Sequence, residues 1–258
     1  MATAGANSAK APPGLAPLPN CDHFLPPIGN RHQQDAYNHA AHDAGQPLPP
    51  RSHRPDIADD DAFAAAIADA LSGGDVASLI LPAYGLAEAA FQARCKRVVP
   101  LAQEKGVAVM IVDDTRTAGR VNADGVHLEN ARATMAETAE RFDDKLMLGV
   151  GGAKTRHDAL ELGEARPDYI FFGRIGYDTG AEAHHRNLAL GEWWAEMVTL
   201  PCIVMGGASI ESAAAVAATR ADFVALCAAV FAGPLKPGEA VARTNALLDE
   251  TAPELDAA

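Results

Sequence analysis

The chain has 258 residues, of which 48% are hydrophobic, and a formal net charge of −13. This length and apolar content suit one large domain built around a single core. The acidic balance and the absence of a basic patch argue against binding to nucleic acid or to an anionic membrane surface. No apolar run is long enough to span a membrane and no secretory signal is evident, so we expect a cytoplasmic protein.

Residues 1–56 differ in composition from the rest of the chain. They are rich in proline and polar residues and show no hydrophobic periodicity, so they cannot bury enough apolar surface to offset the entropy of ordering. We expect a disordered tail there, one folded domain over residues 57–250, and a flexible C-terminus over residues 251–258. The tail contains five of the nine histidines, at spacings too irregular to indicate a metal site.

From Asp59 onward, apolar runs of strand length alternate with helical segments. The predicted strands are residues 76–81, 107–112, 124–128, 146–150, 169–172, 202–205 and 223–226. The predicted helices are residues 62–71, 86–104, 132–141, 155–162, 188–197, 210–218 and 238–248. Such alternation indicates a parallel sheet, and we predict an α/β fold of the (β/α)8 TIM-barrel type. The eighth strand would have to be Arg51–Ile57, which contains Pro55 and fits a central strand poorly.

The cysteines give no sign of a disulfide framework or a metal site. The four are Cys21, Cys95, Cys202 and Cys227. They form neither a CxxC pair nor a Cys/His spacing typical of zinc ligands. Cys202 and Cys227 lie inside apolar runs, so we expect small buried hydrophobic residues in a reducing compartment.

In a barrel of this kind the active site lies at the carboxyl ends of the strands. Gly206 and Gly207 follow one predicted strand, and Cys227 and Ala228 follow the next. Small residues let backbone amides approach a phosphate, although a tight turn from strand to helix has the same requirement. The segment 177–185, which follows the preceding strand, is either a mobile lid or an ordinary surface loop.

Acidic residues follow two other predicted strands. Asp113 and Asp114 come directly after residues 107–112. Adjacent carboxylates at a strand end can hold Mg²⁺, but aspartate also favours turns and helix N-caps. His127 and Glu129 lie two residues apart, so both can face the same side of their strand. The histidine is either a structural residue or a substrate contact.

Basic residues follow the next two strands. Lys154 comes after the glycine-rich start of the segment that begins at Gly151, where its ammonium group can meet an anion. Arg174 follows the strand at residues 169–172, and its guanidinium group suits a bidentate contact with phosphate or carboxylate. These residues complete the set of candidate substrate contacts.

Six segments, in this order, resemble the thiamine phosphate synthase and thiazole tautomerase superfamily. They are residues 111–114, 123–128, 148–150, 167–173, 201–207 and 221–226. Residues 155–159 and 193–196 are similar to a divergent bacterial branch of it. The resemblance implies a (β/α)8 enzyme of thiamine biosynthesis, a transferase that joins hydroxymethylpyrimidine pyrophosphate to thiazole phosphate with the help of Mg²⁺. Its ligands would be small phosphorylated molecules, and the oligomeric state stays open.

The resemblance also implies roles for the candidate residues. Asp113 and Asp114 would serve the chemistry, and Asp114 would hold the metal together with Glu129. The substrate contacts would be His127, Gly151, Lys154 and Arg174. The phosphate-binding residues would be Gly206, Gly207, Cys227 and Ala228.

The chain departs from the family pattern where pyrophosphate and pyrimidine would bind. Arg132 replaces a metal carboxylate, residues 82–84 replace a basic pair, Gly151 replaces a serine, and Ala181 lies near the position of a lysine. Each lost charge-assisted contact is worth about 1.5–3 kcal/mol. Three hypotheses follow: a synthase with substituted ligands, a non-catalytic relative that binds thiazole phosphate or thiamine phosphate, and an unrelated enzyme that handles phosphates.

Overall fold

The computed structural model describes residues 2–5, 59–83, 85–129, 146–176 and 179–251. Seven strands within them form a parallel sheet in chain order. They are β2 (Ser78–Leu81), β3 (Ala108–Val112), β4 (Gly125–Leu128), β5 (Met147–Val150), β6 (Tyr169–Phe172), β7 (Cys202–Met205) and β8 (Phe223–Leu226). Nearly all of their residues are buried, as expected for parallel strands covered on both faces.

A further strand, β1 (Ala2–Gly5), runs antiparallel to its two neighbours. It pairs with β8 along its whole length and with β2 through Ala2 and Leu79, so the strand order is circular. The predicted eightfold parallel barrel is therefore confirmed only as an α/β fold whose seven parallel strands curl into a barrel-like sheet. The strand β1 lies in the tail that we predicted to be disordered, and Arg51–Ile57 lies outside the described residues.

Helices follow most of the strands and pack against the outside of the sheet. They are α1 (Asp60–Ala70), α2 (Glu88–Gln103), α3 (Thr115–Val121), α4 (Arg156–Glu164), α5 (His185–Met197), α6 (Ser212–Ala217), α7 (Ala228–Phe231) and α8 (Pro237–Thr251). The sequence predicted all except α3 and α7, which are too short to show a helical period; the helix predicted at 132–141 lies outside the described residues. No helix in the described part of the chain has the length and apolar composition needed to cross a membrane.

The core has two layers, separated by the sheet. The strand β6 shows the alternation that separates them, because Tyr169 and Phe171 point into the barrel while Ile170 and Phe172 pack against the helices. Cys95 and Cys202 belong to the outer layer, and Cys227 belongs to the inner one. The three cysteines are buried and form no disulfide within the described residues, as the sequence predicted for small apolar residues.

Three aspartates fasten neighbouring strands at the amino edge of the sheet. Each stands one residue before β4, β6 or β8 and accepts a hydrogen bond from the backbone of the preceding strand. The bonds are Val109 N to Asp124 Oδ2 at 2.8 Å, Leu148 N to Asp168 Oδ2 at 2.7 Å, and Cys202 N to Asp222 Oδ2 at 2.8 Å. We call these residues the aspartate clamps. They link β3 to β4, β5 to β6 and β7 to β8, and they leave the opposite edge free for a site.

Candidate active site at the carboxyl edge of the sheet

The two adjacent aspartates after β3 do different work. Asp114 is the N-cap of α3, and its Oδ1 accepts a hydrogen bond from Thr117 N at 2.8 Å. Asp113 has a positive φ of 53°, which turns its side chain towards β4, where its Oδ1 accepts from Glu129 N at 3.1 Å. The carboxylate that contacts the backbone of Glu129 is thus that of Asp113, while Asp114 caps a helix. The metal pair expected from the sequence, Asp114 with Glu129, stays a prediction.

His127 is fully buried at the end of β4 and is held by aromatic side chains of β6. Its Nδ1 lies 2.8 Å from the hydroxyl of Tyr169, and the two rings are stacked. The edge of Phe171 closes another side of the imidazole at a centroid distance of 5.4 Å. A side chain on Gly149 would overlap the Tyr169 ring, so the glycine in β5 makes room for the tyrosine that positions His127.

Both nitrogens of the His127 ring lie close to polar side chains. Burial raises the pKa of the Tyr169 hydroxyl far above its ordinary value, with a further rise from the nearby carboxylate of Glu129, so the tyrosine stays protonated. Its hydroxyl shares a hydrogen bond of 2.8 Å with Nδ1. The other ring nitrogen is Nε2. That nitrogen lies 3.5 Å from Glu129 Oε2.

Glu129 links this network to the loop after β6. Its side chain is only 8% exposed, and Oε1 accepts a hydrogen bond from Ile175 N at 3.1 Å. The other oxygen, Oε2, is buried and has no hydrogen-bond partner among the described residues. A buried carboxylate oxygen without a partner is costly. It therefore marks a place where a donor or a cation would be favourable.

The three groups place a concentrated charge at this edge of the sheet. Burial raises the pKa of the Asp113 carboxyl, the His127 ring opposes that rise, and the Glu129 carboxylate adds to it. Two carboxylates close enough to repel each other are stabilised by a nearby positive charge. No group of three or more His, Cys, Asp or Glu side chains suited to a metal converges in the described ranges. Mg²⁺ needs only one or two carboxylates besides substrate phosphates, so Asp113 and Glu129 fit it.

The remaining substrate candidates lie on β5 and β6. Gly151 donates its N–H to Leu128 O at 2.8 Å, and a Cβ on it would come 3.2 Å from Nε2 of His127. The missing side chain thus leaves space beside the imidazole. Lys154 is exposed just before α4, where its N–H donates to Asp158. Arg174 is half-buried two residues after β6.

The expected phosphate-binding residues lie at the ends of β7 and β8. Gly206 N donates to Ala225 O at 2.9 Å, which brings the loop after β7 against β8. Gly207 N donates to the hydroxyl of Ser212 at 2.8 Å. Cys227 and Ala228 are buried at the start of α7 and face the interior of the barrel. The structure thus brings all four residues to one edge, as the sequence predicted for the ends of consecutive strands.

Two residues that contact the candidate site, Tyr169 and Ser212, were missed in the sequence analysis. Tyr169 carries no special signal beyond its inward position in β6, and its pairing with Gly149 depends on a contact across the sheet. Ser212 follows the glycine pair by several residues, and nothing in its spacing distinguishes it from an ordinary first-turn serine. Both residues act through neighbours that only the folded chain brings together.

A comparison with protein families decides the relationship that the six segments suggested. The model of the thiamine monophosphate synthase family matches residues 53–230, which is more than half of the chain. The chain belongs to the thiamine monophosphate synthase family. The matched region contains β2 to β8 and every candidate site residue described above.

Two curated relatives in this family align with the chain over nearly their whole length. The thiamine-phosphate synthase of Rhodospirillum centenum is 32% identical over 196 residues, which are 75% of this chain and 94% of the relative. The thiamine-phosphate synthase of Hyphomonas neptunium is 34% identical over 210 residues, which are 77% of this chain and 92% of the relative. The family relationship therefore extends over about three quarters of this chain.

A solved structure supports the fold. The thiamine phosphate pyrophosphorylase from Pyrococcus furiosus superposes with a TM-score of 0.61 at 17% identity, covering 92% of this chain and 96% of that one. At this level of identity the similarity concerns the fold alone. It agrees with the curled parallel sheet and its outer helices.

Proposed function

We propose that the protein is a thiamine-phosphate-synthase-like enzyme that couples hydroxymethylpyrimidine pyrophosphate to thiazole phosphate. The observation that carries the proposal is the family match over residues 53–230, together with relatives named thiamine-phosphate synthase that are aligned over 94% and 92% of their length. In the reaction, the bond between the pyrimidine methylene and the pyrophosphate oxygen breaks, with its electron pair leaving on pyrophosphate. A bond from the thiazole nitrogen to the methylene carbon then forms.

The two neighbouring carboxylates suit a reaction in which positive charge develops on the pyrimidine methylene. Asp113 and Glu129 place negative charge at the carboxyl edge of the sheet, with the Glu129 side chain buried and Asp113 more exposed. Fixed charges in such a site stabilise developing charge without the cost of reorganising solvent. His127, held by Tyr169, fixes the position of the Glu129 carboxylate beside it.

Magnesium belongs to the same proposal. Asp113 and Glu129 would hold the ion, and Asp114 would support them only by starting α3. When bound, the ion would neutralise charge on the departing pyrophosphate. The buried Oε2 of Glu129, which has no hydrogen-bond partner among the described residues, is the observation that supports the assignment.

The phosphorylated groups would meet the other candidates. We propose that Lys154 and Arg174 contact the pyrophosphate and that Gly151 leaves room for the pyrimidine ring beside His127. Gly206, Gly207, Cys227 and Ala228 would hold the phosphate of the thiazole. The proposal treats residues 57–250 as one catalytic domain of a cytoplasmic enzyme, and β1 from the predicted tail of residues 1–56 joins β8 to β2 in its sheet.

Binding and turnover measurements test the proposal directly. The protein is titrated by calorimetry with thiazole phosphate and with magnesium pyrophosphate, and product is assayed from both substrates. We expect thiamine phosphate to form. Asp113→Asn should lower kcat by at least about tenfold, because the loss of one charge that stabilises the transition state by about 1.4 kcal/mol slows the reaction by one decade. Asp113→Asn should also weaken the binding of magnesium pyrophosphate.

The adjacent aspartate supplies the matched control. Asp114→Asn keeps a residue that caps a helix as well as aspartate does, so kcat should stay close to that of the wild type. A larger loss in Asp114→Asn than in Asp113→Asn would contradict the assignment. Binding of thiazole phosphate without any product would contradict the enzyme hypothesis and favour the non-catalytic binding protein considered from the sequence.

A further inference from the structure

Four consecutive backbone amides after β7 already have acceptors inside the protein. The bonds are Gly206 N to Ala225 O at 2.9 Å, Gly207 N to Ser212 Oγ at 2.8 Å, Ala208 N to Gly180 O at 2.7 Å, and Ser209 N to Ala181 O at 3.1 Å. Backbone amides bind phosphate only when their N–H groups are available. At the position where the fold would offer an anion site, each donor of this stretch is therefore occupied.

Two of these acceptors come from the loop after β6. We call residues 180–182 the plug segment. Its carbonyls of Gly180 and Ala181 accept from the loop after β7, and a Cβ on Gly207 would overlap the carbonyl of Ala181 and lie 2.6 Å from Glu182 O. The space that Gly207 leaves open is thus filled by the plug segment. The glycine permits this close backbone approach.

The third acceptor is the buried hydroxyl of Ser212. It accepts from Gly207 N and donates to Ser209 O at 2.6 Å, so one hydroxyl closes the turn from both sides. Ser212 is 6% exposed, which removes water as a competing partner. A phosphate oxygen that used the Gly207 amide would have to displace this hydroxyl.

We propose that the plug segment and Ser212 hold the loop after β7 in an autoinhibited state, and that phosphate binds there by displacing them. This inference rests on the proposed function, because it concerns the phosphate site of the same reaction. Each displaced acceptor offsets part of the free energy that a charged phosphate oxygen gains from an amide. The protein therefore binds a phosphate group more weakly than a free loop of the same sequence would.

For one substitution, the proposal predicts a gain in phosphate affinity where an ordinary phosphate-binding loop would lose affinity. In Gly207→Ala the new Cβ expels the plug segment but removes no amide, and Gly207 has no positive φ that alanine would have to adopt. The amides of Ala208 and Ser209 then become available. We expect the affinity for inorganic phosphate to rise about tenfold, since a hydrogen bond to a charged group is worth a decade or more.

A second substitution tests the hydroxyl independently. Ser212→Ala frees the Gly207 amide, and we expect a gain in affinity for inorganic phosphate of similar size. Thr219→Val is the matched control, because the Thr219 hydroxyl is also buried, donates to Val216 O and accepts from Ala221 N, but lies at the far end of α6. It should leave the affinity unchanged while it costs a comparable amount of stability.

The experiment combines calorimetric titration with inorganic phosphate, thermal unfolding, and amide exchange by NMR. In the wild type without phosphate, the amides of Ala208 and Ser209 should exchange slowly; in Gly207→Ala they should exchange fast and become protected when phosphate is added. Fast exchange in the wild type, or a loss of affinity in both folded variants, would overturn the proposal. If the wild type shows the expected exchange and phosphate binding but makes no thiamine phosphate, the proposed function is wrong while the inference about the plug segment still holds.

Discussion

At the scale of single residues, adjacent aspartates show how much a backbone angle decides. Asp113 and Asp114 are chemically identical in the sequence, and both candidate roles, metal ligand and N-cap, were evident from it. The structure divides the roles, because the positive φ of Asp113 turns its carboxylate towards Glu129 while Asp114 begins α3. No spacing rule encodes that angle, so the sequence predicted the two adjacent carboxylates but not which of them contacts the backbone of Glu129.

The raised pKa of Asp113 predicts a dependence of stability on pH. The folded protein binds this proton more tightly than the unfolded chain, whose carboxyl has the ordinary pKa of 3.8. The free energy of unfolding therefore falls as the pH rises from that value through the raised folded pKa. We expect Asp113→Asn to be more stable than the wild type above this window, by a modest amount, because solvent screens the charge of an exposed side chain.

Urea unfolding at a series of pH values measures this difference. The gain from Asp113→Asn should shrink as the pH falls to that of an ordinary aspartate. Asp114→Asn serves as the comparison, because it removes a neighbouring carboxylate that caps a helix. A stability gain of equal size at every pH would show that burial of the Asp113 charge is not its origin.

At the scale of elements, alternation of apolar runs with helical segments predicted all seven parallel strands within two residues of their observed ends. The cause is physical, since parallel strands buried on both faces must be apolar throughout. The short helices α3 and α7 were missed because seven and four residues do not show a period of 3.6. The strand β1 was missed because Ala2–Gly5 consists of small residues inside a stretch that is otherwise polar.

The aspartate clamps explain part of the family resemblance in structural terms. The Asp residues within the segments 123–128, 167–173 and 221–226 are those that fasten strand pairs at the amino edge of the sheet. In barrels of this type, residues at that edge serve stability and those at the carboxyl edge serve chemistry. These segments therefore identified the fold with more force than they identified the reaction.

A clamp can be removed without touching the candidate site. In Asp222→Ala the N–H of Cys202 loses its acceptor, and we expect the protein to lose about 1.5 kcal/mol of stability. Asp222→Asn keeps an acceptor oxygen and should lose less than half as much. Equilibrium unfolding in urea gives both values, and equal losses in the two variants would mean that the hydrogen bond is not what Asp222 contributes.

At the scale of the whole molecule, the sheet brings residues from six strand ends to one edge. Asp113, His127, Glu129 and Gly151 form one connected group, and the loop after β6 joins it to the phosphate-binding loops, through Ile175 at one end and the plug segment at the other. The sequence predicted the common edge because strand order follows chain order. It could not predict which amides are already satisfied, since that depends on contacts between separate loops.

The buried cysteines report on the opening of the whole molecule. Burial raises the pKa of both Cys95 and Cys202 to about 12. Only the thiolate reacts readily with alkylating reagents, because it is the nucleophile. We expect both residues to react with an alkylating reagent only when the domain unfolds, at equal rates that rise together with urea concentration. Mass spectrometry of peptides after short labelling pulses separates the two sites, with the fully unfolded chain as the reference.

Unequal labelling would point to a local opening. Cys95 lies on α2 and Cys202 on β7, so they sample distant parts of the outer core layer. A rate for one that exceeds the other many-fold in the absence of urea would contradict a single cooperative unit.

The aspartate clamps have a consequence for how such a chain can change during evolution. Because each clamp joins a strand to the one after it, β3 with β4, β5 with β6 and β7 with β8 form three two-strand modules. A duplication or deletion that moves a whole module keeps every carboxylate with its amide. A rearrangement that moves a single clamped strand leaves one backbone N–H near a strand start without its acceptor. We therefore expect rearrangements that keep a clamped strand pair together to be tolerated better than those that divide it.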